Sequence, residues 1–369
     1  MVKIGLSACR KRMKKIVFFI PSLNIGGIER VFITYANCLV KDNNYHIDFV
    51  LCKKEGDLLN LLSPEITVHD LGNIKLRHSV IKLRKYIKIN KPDFIITGGD
   101  IPNLITIISS WKLKTKVIIS QHNYYNIEQK RLGWWANCTL FLMKYIYPKA
   151  YKIIAISEGI YNFLEKEINI NSHKLIKLNN PIDINEIIDK SKENTTLRLP
   201  EPYIVFIGRL SYVKNLPFLI EAFENAQLNN IHLVIVGDGE MKSILHNKCM
   251  DLKKNKFIHF TGSLENPLPI LKNARLLVLP SFSEAYPTIL LESLCLSTPI
   301  LATPTNGANE ILKDVEGTSI SRDFYDIKEF SKLLESSIQN KINKEQIRNL
   351  LNKNSVEYIT SRLKNEILQ

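Results

Sequence analysis

Residues 276–296 read LLVLPSFSEAYPTILLESLCL, and the order of apolar and polar residues in this stretch indicates the fold. Its first four residues are apolar and predict a buried strand that ends at Pro280, because such a run before a turn is typical of a parallel strand. A polar loop carrying Glu284 follows. The apolar spacing then predicts a helix that begins near Thr288 and carries Glu292. A strand, a loop and a helix in this order form the repeating unit of an open parallel sheet.

The same unit recurs along the chain. In the first half, strands are predicted at 15–21, 46–52, 93–96, 117–120 and 152–156, with helices that include 27–40, 80–90 and 134–147. In the second half, strands are predicted at 203–208, 232–237, 257–262, 276–280 and 299–303, followed by helices at 216–225, 240–252, 267–273, 288–296 and 308–313. Apolar strands that alternate with amphipathic helices predict a covered parallel sheet in each half.

The chain has 369 residues, which is enough for two domains. Residues 179–202 are polar and contain three prolines, so they indicate the connection between the domains. We predict an N-terminal domain at 1–190, a C-terminal domain at 191–345 and a C-terminal helical strap at 346–369. The strap is expected from a polar helical pattern over about 344–366. Two facing doubly wound domains leave a cleft at the carboxyl ends of both sheets, where such sheets bind ligands.

The net charge of +14 is unevenly distributed. Residues 1–195 hold 30 Lys and Arg against 17 Asp and Glu, whereas residues 196–369 hold 20 against 19. A basic first half favours an anionic partner such as a membrane surface, a phosphorylated lipid or nucleic acid; a solvated surface without a partner is the alternative. Since no nucleic-acid recognition motif occurs, we do not expect nucleic acid to be the partner.

The six cysteines are scattered and form no Cys-x-x-Cys pair, so the sequence predicts neither a zinc cage nor a redox pair. Scattered thiols fit a reducing cytoplasm. No segment has the pattern of a signal peptide or of a transmembrane helix. We therefore expect a cytoplasmic protein, with peripheral contact to the inner face of the membrane as a further possibility. Residues 1–12 precede Met13 and are interpreted as an upstream extension or a mis-chosen start.

Two cations follow the first strand of the second half. Residues 206–215 read FIGRLSYVKN, in which Arg209 comes directly after the strand and Lys214 stands at the entrance to a helix. Such a pair can bind a diphosphate and stabilise the negative charge that grows when the diphosphate leaves. The alternative is two surface cations without a ligand.

Glycines mark two further strand ends. Residues 21–30 read PSLNIGGIER, where Gly26 and Gly27 allow an anion to approach the start of a helix. Residues 236–240 read VGDGE, where Gly237 permits a sharp turn beside a ligand. A turn without ligand contact remains the alternative at both places. Neither stretch is Gly-x-Gly-x-x-Gly, and its absence argues against a nicotinamide-dependent oxidoreductase.

Three other side chains are candidates for ligand contacts. Glu292 lies in an apolar run, and a carboxylate there needs a partner such as a ribose diol. Glu284 stands on the preceding loop, where it could face a sugar. Residues 118–123 read IISQHN and place His122 at a strand end, where it could contact a sugar hydroxyl or position an acceptor. Exposed glutamates and a structural histidine are the alternatives.

Together these segments resemble glycosyltransferase family 4, the retaining group 1 glycosyltransferases, over nearly the whole chain from Lys15 to about Thr303. The two glutamates with seven residues between them are the most specific part of the resemblance, followed by Arg209 and Lys214. The resemblance implies the GT-B fold, in which two Rossmann-like domains face a central cleft. It also implies transfer of a sugar from a nucleotide diphosphate donor, which we expect to be a UDP-sugar, to a glycan acceptor.

The resemblance implies a role for each candidate residue. Glu292 would bind the nucleotide ribose, the Glu284 loop the donor sugar, and Arg209 and Lys214 the diphosphate, while His122 would lie beside the transferred sugar. The other donor-binding positions that we expect are Gly26, Gly27, Gly237, Ser263, Leu264, Thr288 and Ile289. Ala285 departs from the family, which commonly has Gly there, and a positive φ at an alanine would cost about 1 kcal/mol.

No Asp-x-Asp occurs in the sequence, and no Asp/His cluster suggests a metal site. We expect a reaction without a metal or other cofactor, in which a diphosphate oxygen of the donor helps to deprotonate the acceptor.

The resemblance also implies that the N-terminal domain binds the acceptor, which we expect to be lipid-linked and to belong to bacterial surface polysaccharide such as O-antigen, capsule or lipopolysaccharide. Residues 75–88 form a basic amphipathic stretch that could rest on an anionic bilayer. Residues 131–135 with Leu140, Phe141 and Leu142 are either an apolar anchor or, as the favoured interpretation, a core helix. A soluble acceptor and a non-catalytic scaffold that binds nucleotide sugars remain open as alternatives.

Overall fold

The computed structural model describes residues 12–123, 133–195 and 197–369. In this part of the chain two parallel sheets are each covered by helices, which confirms the predicted α/β class with two doubly wound domains. Residues 1–11, which belong to the segment interpreted as an extension or a mis-chosen start, lie outside the described residues. Residues 131 and 132 of the predicted apolar anchor also lie outside them.

Within the described residues, the first sheet has seven parallel strands in the order β3-β2-β1-β4-β5-β6-β7. Their bounds are β1 (Lys14–Ile20), β2 (Tyr45–Leu51), β3 (Thr67–Asp70), β4 (Phe94–Gly98), β5 (Lys116–Gln121), β6 (Lys152–Ala155) and β7 (Leu175–Lys177). The last five residues of β1 are fully buried, as expected for a central strand covered on both faces. Strand order reverses between β1 and β4.

The second sheet has six parallel strands in the order β10-β9-β8-β11-β12-β13. Their bounds are β8 (Tyr203–Ile207), β9 (His232–Val236), β10 (Ile258–Gly262), β11 (Leu276–Leu279), β12 (Ile300–Ala302) and β13 (Thr318–Ile320). Here the order reverses between β8 and β11. The loops that leave these two strands therefore start side by side at the carboxyl edge, where open sheets bind ligands.

The helices of the first domain are α1 (Gly27–Leu39), α2 (Ser79–Asn90), α3 (Asp100–Ser109), α4 (Trp134–Ile146), α5 (Glu158–Asn162) and α6 (Ile184–Lys190). Those that follow are α7 (Leu216–Asn225), α8 (Lys242–Met250), α9 (Leu268–Asn273), α10 (Thr288–Leu296), α11 (Asn306–Leu312), α12 (Ile327–Ser337), α13 (Lys344–Lys353) and α14 (Val356–Glu366). Short 3₁₀ turns include Tyr147–Lys149 and Tyr212–Lys214.

The sequence pattern missed three strands, β3, β7 and β13. Each is only three or four residues long, lies at the edge of its sheet and is mostly half-buried or exposed. A short edge strand carries no long apolar run, so periodicity does not reveal it. Helix α6 also lies inside the predicted connection at 179–202. Its N-cap is Asp183, whose carboxylate accepts a hydrogen bond from the Glu186 backbone N–H.

The predicted helical stretch at about 344–366 is two helices, α13 and α14, separated by Asn354 and Ser355. Ser355 caps α14 by accepting from the Tyr358 backbone N–H, and the buried Asn354 side chain accepts a 2.7 Å hydrogen bond from the Tyr286 hydroxyl. Helix α14 packs against α1 of the first domain. The C-terminal segment therefore connects the second domain back to the first.

Helix α4 contradicts the favoured core interpretation at three positions. The side chains of Trp134, Phe141 and Leu142 are among the exposed large apolar residues, whereas Ala136 and Met143 are buried. One face of α4 packs on the domain and the other presents apolar surface to the outside. Among the described residues, no helix has both the length and the apolar character needed to cross a bilayer.

Candidate active site

A cavity of about 210 Å³ lies between the two domains, where β5, β8 and β11 end. Its lining residues come from both domains: His122, Asn123, Ser211, Val213, Ser283, Glu284 and Ala285. The reversal of strand order explains the contribution of the second domain, because the loops after β8 and β11 leave neighbouring strands at the same edge. The Phe282 backbone N–H also donates a 2.8 Å hydrogen bond to the Val213 carbonyl, which joins the two loops directly.

Glu284 is held by two donors on one carboxylate oxygen. The Lys214 ammonium lies 2.5 Å from Glu284 Oε1, and the Ser281 hydroxyl donates to the same oxygen at 2.6 Å. The Glu284 side chain is 11% exposed and that of Lys214 is 23% exposed, so the ion pair is largely shielded from water. The structure thus brings two predicted site residues into direct contact. The sequence pattern did not lead to a predicted role for Ser281. A serine three residues before the glutamate in the same loop could, however, have suggested this hydrogen bond.

The Ala285 substitution does not strain this loop. Ala285 is not among the described residues with positive φ, so the cost considered for an alanine at this position does not arise. The Gly307 backbone N–H donates to the Glu284 carbonyl at 2.9 Å and fixes the loop from the side of α11.

His122 follows β5 and brings a buried ring to the cavity. Burial lowers the pKa of His122 to about 4, so the imidazole is neutral near pH 7. Its Nε2 atom is buried and finds no hydrogen-bond partner in the described part of the chain. Gly98 leaves room for the ring, since a Cβ there would lie 3.2 Å from Nε2. A buried ring nitrogen without a partner beside a cavity is suited to a ligand hydroxyl.

Asp100 orders the strand end that carries His122. Its two carboxylate oxygens accept from Gln121 Nε2 at 2.8 Å and from Asn123 Nδ2 at 3.0 Å. Asn123 also lines the cavity. Neither Asp100 nor Asn123 could be assigned a function from the sequence, because only the tertiary fold places the start of α3 beside the end of β5.

Arg209 lies apart from this cavity. Its side chain is 75% exposed, and Nη2 lies 3.3 Å from Glu240 Oε2 in the loop after β9. Gly237 allows these two loops to approach each other: its φ is 142°, and a Cβ there would lie 1.9 Å from the Gly208 carbonyl oxygen. The close packing of the two loops therefore explains why residue 237 is a glycine, without any contact to a ligand.

Glu292 is the central residue of α10 and is half-buried. Burial raises the pKa of its carboxyl group, while the charge of Arg30 and a hydrogen bond with the Thr288 side chain oppose that rise. Arg30 belongs to α1, so its positive charge acts on Glu292 from the opposite domain. Arg30 lies in the glycine-containing stretch 21–30, but nothing in that stretch indicates this role for it. Ile289, on the same turn of α10, is half-buried as well.

The glycine turn forms the start of α1. Gly26 is the N-cap residue and supplies no side-chain cap, and a Cβ added at Gly27 would meet no atom within 4 Å. The Glu29 carboxylate folds back over Gly26, and burial raises the pKa of this carboxyl group. The helix N-terminus is thus open to an anion but has an acidic residue beside it. Glu29 was not predicted as a site residue.

The remaining predicted donor positions, Ser263 and Leu264, follow β10. Ser263 is exposed and Leu264 is half-buried. Neither residue lines the cavity that contains Glu284.

Comparison with known proteins connects these features to a family. Residues 25–186 match the family model described as Glycosyltransferase Family 4, and residues 187–355 match the one described as Glycosyl transferases group 1. A Campylobacter jejuni relative is 31% identical over 82% of this chain and 83% of its own length. It is named a GalNAc-α-(1→4)-GalNAc-α-(1→3)-diNAcBac-PP-undecaprenol α-1,4-N-acetyl-D-galactosaminyltransferase. The chain belongs to glycosyltransferase family 4.

This family 4 glycosyltransferase is also similar to a further named relative and to solved structures that share its fold. An Escherichia coli relative, named UDP-Gal:α-D-GlcNAc-diphosphoundecaprenol α-1,3-galactosyltransferase, is 24% identical over 79% of each chain. The structure of Anabaena HepE in complex with UDP and glucose superposes with a TM-score of 0.78 at 16% identity, covering 96% of this chain and all of that one. The lipopolysaccharide glycosyltransferase WaaG superposes with a TM-score of 0.68 at 14% identity, covering 96% of each chain. These neighbours confirm the predicted GT-B fold.

Proposed function

We propose that this glycosyltransferase moves a sugar from a UDP-sugar to a lipid-linked glycan acceptor, with retention at the anomeric carbon, during assembly of a bacterial surface polysaccharide. The observation that carries the proposal is the cavity between the domains, where His122 of the first domain and Glu284 of the second line one space and Glu284 is paired with Lys214. The second domain would hold the donor, and the first would present the acceptor.

The proposed reaction is a single exchange at the anomeric carbon. The bond from this carbon to the diphosphate oxygen breaks, and a bond to the acceptor hydroxyl oxygen forms on the same face of the sugar. The hydroxyl proton passes to the leaving diphosphate, so the products are the glycoside and UDP. Lys214 would stabilise the negative charge that develops on the diphosphate. Arg209 is exposed, so it can turn from Glu240 towards the same group.

The other site residues would bind and orient. Glu292 would accept hydrogen bonds from the ribose hydroxyls, which would compensate its half-buried carboxylate. The neutral His122 would accept a hydrogen bond from a hydroxyl of the transferred sugar or of the acceptor. Glu284, fixed by Ser281 and Lys214, would contact the donor sugar.

Similarity to named proteins supports the choice of donor and acceptor. The names of the Campylobacter jejuni and Escherichia coli relatives both specify undecaprenol-linked glycans, and the latter also specifies UDP-Gal. Anabaena HepE has been crystallised with UDP-glucose. A UDP-sugar and a polyprenyl diphosphate-linked glycan are therefore the first substrates to test here.

A membrane-facing surface on the first domain would suit a lipid-linked acceptor. Helices α2 and α3 pack together, as do α3 and α4, and they expose apolar side chains on their outer side. These side chains are Ile81, Ile89, Ile101, Ile108, Trp134, Phe141, Leu142 and Tyr145. Exposed apolar groups among lysines match the requirements of an anionic bilayer surface. We propose peripheral association of this face with the inner side of the cell membrane.

The first experiment is a screen of nucleotide sugars by thermal stabilisation and by release of the nucleotide diphosphate. We expect UDP-sugars to be bound and slowly hydrolysed, and transfer to appear when a polyprenyl diphosphate-linked glycan is added. Failure of every nucleotide sugar to stabilise the protein or to be turned over would refute the donor proposal. NMR of the product should show the anomeric configuration of the donor.

The metal-free step needs its own measurement. Lys214 and Arg209 are cations that could replace a divalent ion at the diphosphate, so we expect activity to persist in EDTA. Strict dependence on an added divalent ion would contradict this part of the proposal while leaving the donor assignment intact.

A further inference from the structure

A second pocket, of about 610 Å³, lies in the first domain at the edge of the sheet opposite the cleft. It forms where α3 ends and β5 begins, and where the turn Tyr147–Lys149 leads into β6. Because β5 begins here and ends at Gln121, next to His122, roughly 17 Å of strand separates this pocket from the candidate active site. It is therefore a distinct feature of the first domain.

Lysines dominate the lining of this pocket. The pocket is lined by Lys112, Lys116, Lys149 and Lys174, and no aspartate or glutamate of the described residues is among its lining. Within the described chain, Lys112, Lys149 and Lys174 form no ion pair with a carboxylate, and Lys116 contacts the backbone oxygen of Gln369 at 3.5 Å. Like charges around one cavity repel each other, and a bound anion would remove that repulsion.

Aromatic rings and carbonyl groups hold these ammonium groups in place. Lys149 Nζ lies 3.6 Å from the centre of the Trp111 ring, and Lys116 Nζ lies 4.4 Å from the centre of the Tyr151 ring. Lys174 Nζ donates to the carbonyls of Pro148 and Ala150. Lys149 and Lys174 are thus positioned by neutral partners, which leaves their charge uncompensated within the described chain.

Ser110 supplies an independent observation at the same place. It lines the pocket and is 5% exposed, and its buried hydroxyl has no hydrogen-bond partner among the described residues. Buried polar groups normally have partners, so this hydroxyl marks a place for an acceptor. Several cations and one free hydroxyl donor match a phosphate group, which carries charge and several acceptor oxygens.

The surroundings of the pocket favour a lipid as the source of that phosphate. Ile108 and Trp111, at the end of α3, are exposed beside it, and Phe141 and Tyr145 are exposed on the neighbouring α4. Residues 79–149 contain 12 Lys and Arg but only three Asp and Glu. Apolar and aromatic side chains interspersed with cations suit the interface of an anionic bilayer, whereas a soluble phosphate would not require them.

We propose that this pocket binds the phosphate headgroup of a bilayer lipid and holds the first domain on the membrane at a point separate from the donor and acceptor sites. The inference rests on the proposed membrane association but not on the donor chemistry.

The test is flotation of the whole chain with phosphatidylcholine vesicles that contain either phosphatidic acid or an equal charge of oleate, a carboxylate lipid. The pocket variant is Lys112→Gln with Lys149→Gln. The matched control is Lys85→Gln with Lys88→Gln, which removes the same charge from exposed positions on α2. Release of UDP from the donor is measured in parallel and should be unchanged in both variants, which also shows that they fold.

We expect the native chain to bind phosphatidic acid vesicles about tenfold more tightly than oleate vesicles, because only the phosphate can satisfy several donors at once. The pocket variant should lose this preference. The control should bind both vesicles more weakly but keep the ratio. Ser110→Ala, which leaves every charge in place, should also lower the ratio.

Equal ratios in the pocket variant and the native chain would overturn the proposal, as would a native chain without any preference. Thermal stabilisation by inorganic phosphate without a vesicle preference would assign the pocket to a free anion instead of a lipid. Loss of UDP release with intact flotation would count against the donor chemistry and not against the pocket.

Discussion

Replacing Lys214 with glutamine tests the central ion pair of the site. The Lys214 ammonium lies 2.5 Å from Glu284 Oε1, and the two side chains are 23% and 11% exposed. A hydrogen bond between charged groups contributes about 1.5–3 kcal/mol. Since Ser281 still donates to the same oxygen and some water contact remains, we expect the free energy of unfolding to fall by about 1–2 kcal/mol.

The effect on catalysis should be larger than the effect on stability. Lys214 is the cation that we assign to the leaving diphosphate, and loss of one such donor typically lowers kcat about 10²–10³-fold, or roughly 2.7–4 kcal/mol in the barrier. Urea denaturation gives the first quantity, and initial rates at saturating UDP-sugar give the second. A barrier increase that exceeds the stability loss is the expected signature of a charge stabilised in the transition state.

Two variants control for the loss of a bond and for the loss of a charge. Ser281→Ala removes the 2.6 Å hydrogen bond to Glu284 but no charge, so kcat should fall less than about tenfold. Lys248→Gln breaks a 3.2 Å ion pair with Glu221 on the surface of the same domain and should leave kcat unchanged. If Lys214→Gln keeps kcat within about threefold of the native value, the assignment of Lys214 to the leaving group is wrong.

Acidification should destabilise the protein through His122, whose pKa is lowered from 6.5 to about 4 in the folded state. Between pH 6.5 and pH 4 the unfolded chain binds more protons than the folded chain, so the free energy of unfolding should fall as the pH drops below 6.5. The decrease should reach roughly 3 kcal/mol near pH 4. Urea titrations of the His122→Gln variant should show a smaller decrease in the free energy of unfolding over the same pH range. Glu292→Ala should raise the donor KM about 10–100-fold, whereas Glu284→Ala should mainly lower kcat, and equal effects of the two variants on both constants would contradict the proposed division of roles. Gly237→Ala should lower the free energy of unfolding by about 2–4 kcal/mol, because its Cβ meets a backbone carbonyl, while Gly27→Ala should change it by less than about 0.5 kcal/mol in the same denaturation assay.

Long apolar strands made most of the fold predictable. All ten strands expected from the sequence occur within about two residues of their predicted bounds, because a strand buried on both faces must be almost continuously apolar. The three strands that were missed lie at sheet edges, where half-exposed residues need not follow such a pattern. The break between α13 and α14 was also missed, since the Asn354 bond to Tyr286 that fixes it joins residues 68 positions apart.

Part of the candidate site could be predicted and part could not. His122, Lys214 and Glu284 could be named from their positions after strands, because parallel sheets present such positions at one edge. Asp100, Asn123 and Arg30 could not, since nothing near them in the sequence shows what they face.

Apolar periodicity sets the strands and strand ends set the edge at which loops emerge, so the sequence was enough to place His122, Lys214 and Glu284 at that edge. The tertiary structure settles which of these residues contact one another. It pairs Lys214 with Glu284 and turns Arg209 towards Glu240, and among the described residues it gives the His122 ring nitrogen beside the cavity no partner. The physical reason is that hydrogen bonds and ion pairs act over a few ångströms, so they depend on how separate loops pack and not on the order of residues along the chain.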